Sequence, residues 1–351
     1  MTRTWKNILI LISLCWRLGC VAPAHADDGN PYRLSDPATF KNLAIYFVHG
    51  ASRGGPVPLT LQEALAKKVV TVHETGEVNE LKVENTGEEE VFIQSGDIVK
   101  GGQQDRLLSA SLLLPPHSGT IPIDSYCVES GRWSARGGED VRTFSSANAA
   151  VPSRSAKLEM AGAVAPKPDG TAAPVGVHQQ KIWNSVAEVQ GKLTRSLGAP
   201  VAAPRSQSSL QLSLENSQLA GEQAAYVAAL QGKGEAGNDI IGYVFAVNGK
   251  INSADLYPSN GLFRKMWPKL LRASVTEAIG ERDDKVEPKA APPVEAVNGF
   301  LKDAEQAKLV EKETKEKTKV GLRENADVMS LETRPADAPA AAWMHRNYIA
   351  K

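Results

Sequence analysis

Cysteine is scarce in this chain: Cys15, Cys20 and Cys127 are the whole complement among 351 residues. The first two sit in a leader-like N-terminal stretch. The remainder therefore carries one thiol and no internal disulfide framework, and its stability has to come from packing. Net charge is missing too, since 40 Lys and Arg balance 40 Asp and Glu. That balance excludes the global attraction for phosphate backbones or anionic lipid on which nucleic-acid and membrane-surface binders rely, and no local basic stripe replaces it. No apolar run approaches the roughly 20 residues of a membrane-spanning helix. His49, His73, His117 and His178 fall on unrelated segments without metal-ligand spacing, so no metal is implied. A Gly-x-Ser-x-Gly elbow is absent, and "FSSANAA" offers serines with no evident base beside them. No motif calls for a cofactor.

The most legible segment is the N-terminus. Arg3 and Lys6 precede the apolar "ILILISLCW", followed by "RLGCVAPAHA" with Ala24 and Ala26 flanking His25. Charged, apolar and small-x-small segments in that order predict a secretory signal over residues 1–26, cleaved after Ala26. A lipoprotein site at Cys20 is disfavoured, because Arg17 stands where that signal wants an aliphatic residue. The expected product is exported, periplasmic or secreted. Losing Arg3, Lys6 and Arg17 leaves it with about three net negative charges, which favour solubility.

Residues 27–41 are polar and Pro-containing, an extension of the mature end. Residues 42–135 read as an antiparallel β-rich half. Strand signals recur in "NLAIYFVHG", "VVTVHE", "ELKVEN", "EVFIQ", "LLSASLLL" and "TIPIDSYCVE", each bounded by Gly, Asn or Pro turns. Such spacing suits a sandwich or barrel. In "LLSASLLL" the alternation places Leu108, Ala110, Leu112 and Leu114 on one face and Ser109 and Ser111 on the other. Thr60 and Glu63 form a capping box ahead of the short helix "LQEALAKK". Residues 136–176, rich in Ser, Ala, Pro and Gly, read as an irregular connection.

Residues 177–351 read as an α+β half, continuous with the first or separate from it. Ile182, Val186, Val189, Leu193 and Leu197 form one helical stripe. Asn248-Gly249 joins two β-rich runs as a type I′ hairpin turn. Phe263, Trp267, Leu271 and Val275 recur every four residues, with Pro268 predicting a kink or a fresh helix start. The charged stretch 302–319 suits a solvated helix or strand, and "AAWMHRNYIAK" suits a final strand docked on the core. The fold class expected is α+β: an N-terminal antiparallel sandwich-like or barrel-like half packed with a C-terminal α+β half.

The succession "LTLQEAL", "NELKVENTGEEEVFIQSGDIVKGGQQDR", "LLLPPHSGTIPIDSYCVESGRW", Ile182-Trp183, "VFAVNGKINSADLY", "FRKMWPKLLRA", "VGLRENADV" and "WMHRNYIA" resembles the domain family named for its association with ADP-ribosylglycohydrolases and rhodanese-like phosphatases. The resemblance implies a neighbourhood of NAD- or ADP-ribose-related metabolites and carries no assigned catalytic residues. An export signal departs from such chiefly intracellular chemistry.

The polar stretch from Lys100 to Trp133 is the candidate site. Gly101 and Gly102 permit close backbone approach and an anion-binding nest, Gln103 and Gln104 add amide donors, and Arg106 suits a carboxylate or phosphate. If residues 107–114 pair with residues 120–129 about the Pro-Pro-His-Ser-Gly turn, Glu129, Arg132 and Trp133 join Arg106 in one patch. Against this stands a structural reading in which Gly-Gly forms a turn or bulge, Arg106 pairs with Glu129 or Asp105, and Trp133 lids the sheet end. Asp255, Arg264 and Trp267 are further candidates for that cleft. The expected function is an exported module binding a small anionic or polyhydroxyl ligand, or an envelope protein. The alternative is a hydrolase acting on a nucleotide-like or glycosidic compound, with Asp105 or Glu129 as acid or base and Arg106 stabilising charge. A structural role in envelope assembly is a third reading.

Overall fold

A computed structural model describes residues 32–137, 139–164, 175–283 and 285–351; the predicted signal over residues 1–26 lies outside them. Its centre is the strand Ile240–Val247, apolar at almost every position and buried at all of them. Such a strand needs both faces covered. It pairs antiparallel with Leu43–His49 on one side and Lys250–Leu256 on the other, within a nine-stranded sheet. Beyond Lys250–Leu256 the sheet continues through His345–Ala350, Val328–Pro335, Thr318–Glu324 and the exposed edge strand Leu309–Glu313. Arg33–Leu34 and Ala38–Phe40 both pair with Leu43–His49 at the opposite end.

One face of this sheet presents Phe47 and Tyr243 to the helix Asn260–Gly280, whose Trp267 ring lies 5.4 Å from each. The other face presents Tyr46, Val48, Val244 and Ala246 to Val297, Leu301 and Ala304 of the helix Val294–Gln306. Trp267 is thus fully buried core and lines no cleft. Arg264 lies on the surface, donating to the Glu235 carbonyl. The Asn248-Gly249 turn has φ of 51° and 73°, the two left-handed residues that a type I′ hairpin requires. Helix Asn260–Gly280 begins at Ser259, whose hydroxyl accepts the Leu262 N–H, and runs through Pro268 without a new start. Proline removes one helical donor there. The surrounding core of Phe263, Met266, Leu270 and Leu271 accompanies the helix across the gap.

The N-terminal half forms two further sheets. Six strands run in the order Phe144–Ala150, Asp97–Gly101, Arg106–Leu108, Gly119–Cys127, Glu80–Asn85, Val70–Glu74, and three in the order Leu112–Leu114, Val91–Ile93, Leu59–Thr60. Leu59, Val72, Leu81, Val91, Leu108 and Leu112 pack between them. The capping box forms as expected: Thr60 accepts from the Glu63 N–H, and Glu63 accepts from the Thr60 N–H.

Two expectations are corrected. Residues 107–114 are not one half-buried strand. Arg106–Leu108 belongs to the six-stranded sheet and Leu112–Leu114 to the three-stranded one, and residues 109–111 cross between them. Ser109 and Ser111 are consequently buried rather than solvent-facing, with the Ser109 hydroxyl donating to the Asp124 carbonyl at 2.9 Å. Within residues 136–176, the strand Phe144–Ala150 and the helix Arg154–Val164 replace the expected irregular connection. Small Ser and Ala side chains blur any periodicity, yet Ser153 starts the helix by accepting the Ala156 N–H. One core joins Ile98, Leu107 and Val128 to Phe245 and Trp267, so that Tyr32–Lys351 is one compact unit.

Candidate functional site

Strand pairing sets Cys127 opposite Arg106, and this brings together most of the predicted patch. Asp105, Arg106 and Glu129 are fully buried. Asp105 is gripped bidentately by Arg136, with Nη2 donating to Oδ1 at 2.7 Å and Nη1 to Oδ2 at 2.8 Å. It also accepts the Gly101 N–H at 3.0 Å and the Ser209 hydroxyl at 3.1 Å. Glu129 accepts from the Ser206 hydroxyl and lies 2.6 Å from Arg132 Nη2. Arg136 Nη1 lies 3.6 Å from the same Glu129 oxygen, so two guanidinium groups face this carboxylate.

Arg106 pairs with Glu74 at 3.5 Å, not with Glu129 or Asp105, and donates to the Gln104 carbonyl at 2.7 Å. Trp133 is about half-buried, its ring centroid 5.4 Å from the Arg106 guanidinium. Burial pushes the Asp105 carboxyl up, against the downward pull of Arg136. Burial also disfavours the Glu129 anion, but hydrogen bonds and charge from Arg132 and Ser206 outweigh it and hold the group low. Arg136, which also binds Glu139 at 3.0 Å, was missed by sequence reasoning because it stands alone in a Gly-rich stretch.

The glycine amides are likewise committed. Gly101 donates to Asp105, Gly102 to the Asp140 and Thr143 carbonyls, and Gln103 to Glu74 Oε2 at 3.1 Å. Both glycines are required: φ is +124° and +54°, and a Cβ on Gly102 would meet Phe144 at 2.3 Å. The stretch is therefore a buried ionic knot tying Arg106–Leu108 to the loop after Gly119–Cys127 and to the Ser209-capped helix Leu210–Leu214.

Two other constellations have adjoining space. The first is a relay of three buried residues from three separate segments. Ser111 Oγ lies 3.0 Å from His345 Nδ1, and His345 Nε2 lies 3.0 Å from Asp255 Oδ1. Asn347 Nδ2 donates to the same Asp255 oxygen at 2.9 Å, and Tyr257 stacks on the imidazole at 5.3 Å. Asp255 pairs in register with Asn347, and Thr333 with His345, so the sheet itself fixes two members. Burial would raise the Asp255 carboxyl, but the His345 hydrogen bond, the Lys157 charge and Asn347 together hold it below the ordinary carboxylate value. A cavity of about 40 Å³ adjoins all three side chains. No local motif announces this group, because Ser111 and His345 are 234 positions apart.

The second is an open cleft of about 420 Å³ between the helices Val175–Leu197 and Asn260–Gly280 and the hairpin at Asn248-Gly249. Lys192 lies in its wall, paired with Glu188 at 2.6 Å and Glu281 at 2.5 Å. Glu277 Oε1 accepts the Arg154 N–H at 3.1 Å. Glu277 Oε2 and Asn252 Oδ1 are buried and have no hydrogen-bond partner among the described residues.

A family model for the ARG and Rhodanese-Phosphatase-superfamily-associated Protein domain, ARPP-1, matches residues 31–348. The chain belongs to this family. Its extent takes in the ionic knot, the relay and the cleft together, and it agrees with the resemblance carried by the sequence motifs. No curated protein and no solved structure shows a significant match to the chain. Among the described residues no helix is long and apolar enough to cross a membrane, and no group of three His, Cys, Asp or Glu is placed to hold a metal ion.

Proposed function

We propose that this chain is an exported binding module that takes a small polyhydroxyl ligand in the cleft beside Asn252 and Glu277. The observation that carries the reading is that Glu277 and Asn252, which line the open cleft, each keep a buried acceptor oxygen, Oε2 and Oδ1, without a hydrogen-bond partner among the described residues; a small side-chain rotation turns either toward a ligand. A buried acceptor without a donor costs about 1–3 kcal/mol, and a ligand hydroxyl recovers that cost on binding. Two acceptors favour a ligand rich in donors over an anion. The knotted residues 101–106 and 129–133 are not the binding site in this reading, since their charged groups are paired with one another. The hydrolase alternative at Asp105 and Glu129 has little support, because both carboxylates are fully buried against arginines. Export rests on the leader-like residues 1–26, whose removal gives a product beginning at Asp27.

The test is calorimetric titration of the chain from Asp27 onward with neutral sugars, sugar alcohols and nucleosides, beside dicarboxylates as anionic controls. At least one neutral polyol is expected to bind, with affinity falling about tenfold or more in Glu277→Ala and Asn252→Ala, the loss of one or two hydrogen bonds. Binding confined to dicarboxylates, or unchanged in both variants, overturns the reading.

A further inference from the structure

The sequence offers no nucleophile elbow, yet the fold assembles the parts of one from distant segments. We infer that Ser111, His345 and Asp255 form a nucleophilic centre that transfers a small acyl group, of acetyl size, from an ester to water.

The directions of the hydrogen bonds fix the protonation pattern. Ser111 Oγ accepts the Ser95 N–H at 2.9 Å, which turns its own proton toward His345 Nδ1, 3.0 Å away. The imidazole proton then lies on Nε2 and is donated to Asp255 Oδ1. This is the serine, imidazole and carboxylate order of an acyl-transfer triad, with the ring presented in the reverse sense, Nδ1 rather than Nε2 facing the hydroxyl. Roles and geometry define such a site, not sequence position. Stacking of Tyr257 at 5.3 Å and the edge of Phe92 at 6.2 Å hold the ring plane. Asp255 is held in turn by Asn347, the third group that orients a base.

The adjoining cavity sets the substrate class. Its volume is about 40 Å³. So small a space beside Ser111 suits a short acyl group better than a long chain. Lys157 lines the same cavity, donating one N–H to Ser253 Oγ at 3.1 Å, and its ammonium supplies positive charge for a developing oxyanion. Ser95, Lys157, Leu331 and Asn347 line the cavity and are themselves part-exposed, which leaves it one side chain from solvent.

The step balances without any redox partner. Ser111 Oγ bonds to the ester carbonyl carbon while its proton passes to His345 Nδ1. Collapse of the tetrahedral oxyanion breaks the bond to the leaving oxygen, which takes that proton and departs as the alcohol. Water then attacks the acyl-serine, gives a proton to the same nitrogen, and the carboxylic acid leaves as Ser111 regains its hydrogen.

The cavity shares no lining residue with the cleft at Glu277, so either proposal can fail alone. The experiment incubates the chain from Asp27 onward with p-nitrophenyl acetate and p-nitrophenyl hexanoate, follows nitrophenol release, and maps acylated residues by peptide mass spectrometry. Acetyl is expected on Ser111, with acetate turned over at least about tenfold faster than hexanoate. His345→Gln and Asp255→Asn, each verified as folded by its melting transition, are expected to slow Ser111 acetylation by about a hundredfold or more. If the folded wild type carries acetyl only on lysines, or on Ser111 at a rate indifferent to His345→Gln, the inference is overturned.

Discussion

The ionic knot around Asp105 and the relay around His345 are both buried polar clusters, yet they are built on opposite principles. In the knot each buried carboxylate faces at least one guanidinium: Arg136 on Asp105, Arg132 on Glu129, with Glu74 opposite Arg106. In the relay the Asp255 carboxylate is linked through the His345 ring to the Ser111 hydroxyl, which borders a cavity. Density of charged residues therefore marks where this fold is tied together. Open volume lies instead beside the Ser111 hydroxyl and beside Glu277 and Asn252.

The sharpest way to break the comparison is Arg136→Ala. It strips Asp105 of its bidentate partner and leaves two carboxylates buried near one another. Removing one member of a buried ion pair costs about 3–5 kcal/mol, so urea midpoints should fall far more than for any relay variant. Next in size is an alkaline effect at Cys127, the residue paired with Arg106 beneath the knot. Burial, chiefly, pushes its thiol from 9.0 to about 11. Between those values the unfolded chain releases a proton that the folded chain keeps, so stability declines as pH rises from about 9 toward 11. The full span is about 2–3 kcal/mol at 1.36 kcal/mol per unit, and Cys127→Ala should flatten that part of the stability profile. Smallest is Ser111→Ala, which deprives the Ser95 N–H and His345 Nδ1 of a partner. A loss of about 1–2 kcal/mol is expected for such neutral groups, measured as a modest drop in melting temperature. An effect as large as that of Arg136→Ala would erase the distinction between the two clusters.

Local grammar made part of this legible. The Asn248-Gly249 turn, the Thr60–Glu63 box and the strands ending at His49, Asn85 and Cys127 follow from residues within a few positions of one another. The crossing at residues 109–111 did not, because alternation in "LLSASLLL" is the same whether one sheet or two receive the leucines. The extent of helix Asn260–Gly280 was hidden for a related reason, since tertiary packing carries it past Pro268. In the candidate site, the sequence pointed to Arg106 and Glu129 as neighbours, and strand register does bring their segments together. It gave no hint that Arg136 and Ser209 close over them, or that Ser111 and His345 meet, because such encounters are properties of sheet order rather than of spacing.

The strand His345–Ala350 lies inside the large sheet, flanked by Lys250–Leu256 and Val328–Pro335. Without this strand the sheet would be split into two unjoined pieces, one ending at Lys250–Leu256 and the other beginning at Val328–Pro335. One strand thus supplies both the seam and the imidazole, so joining the two pieces of the sheet and placing His345 beside Asp255 are a single event.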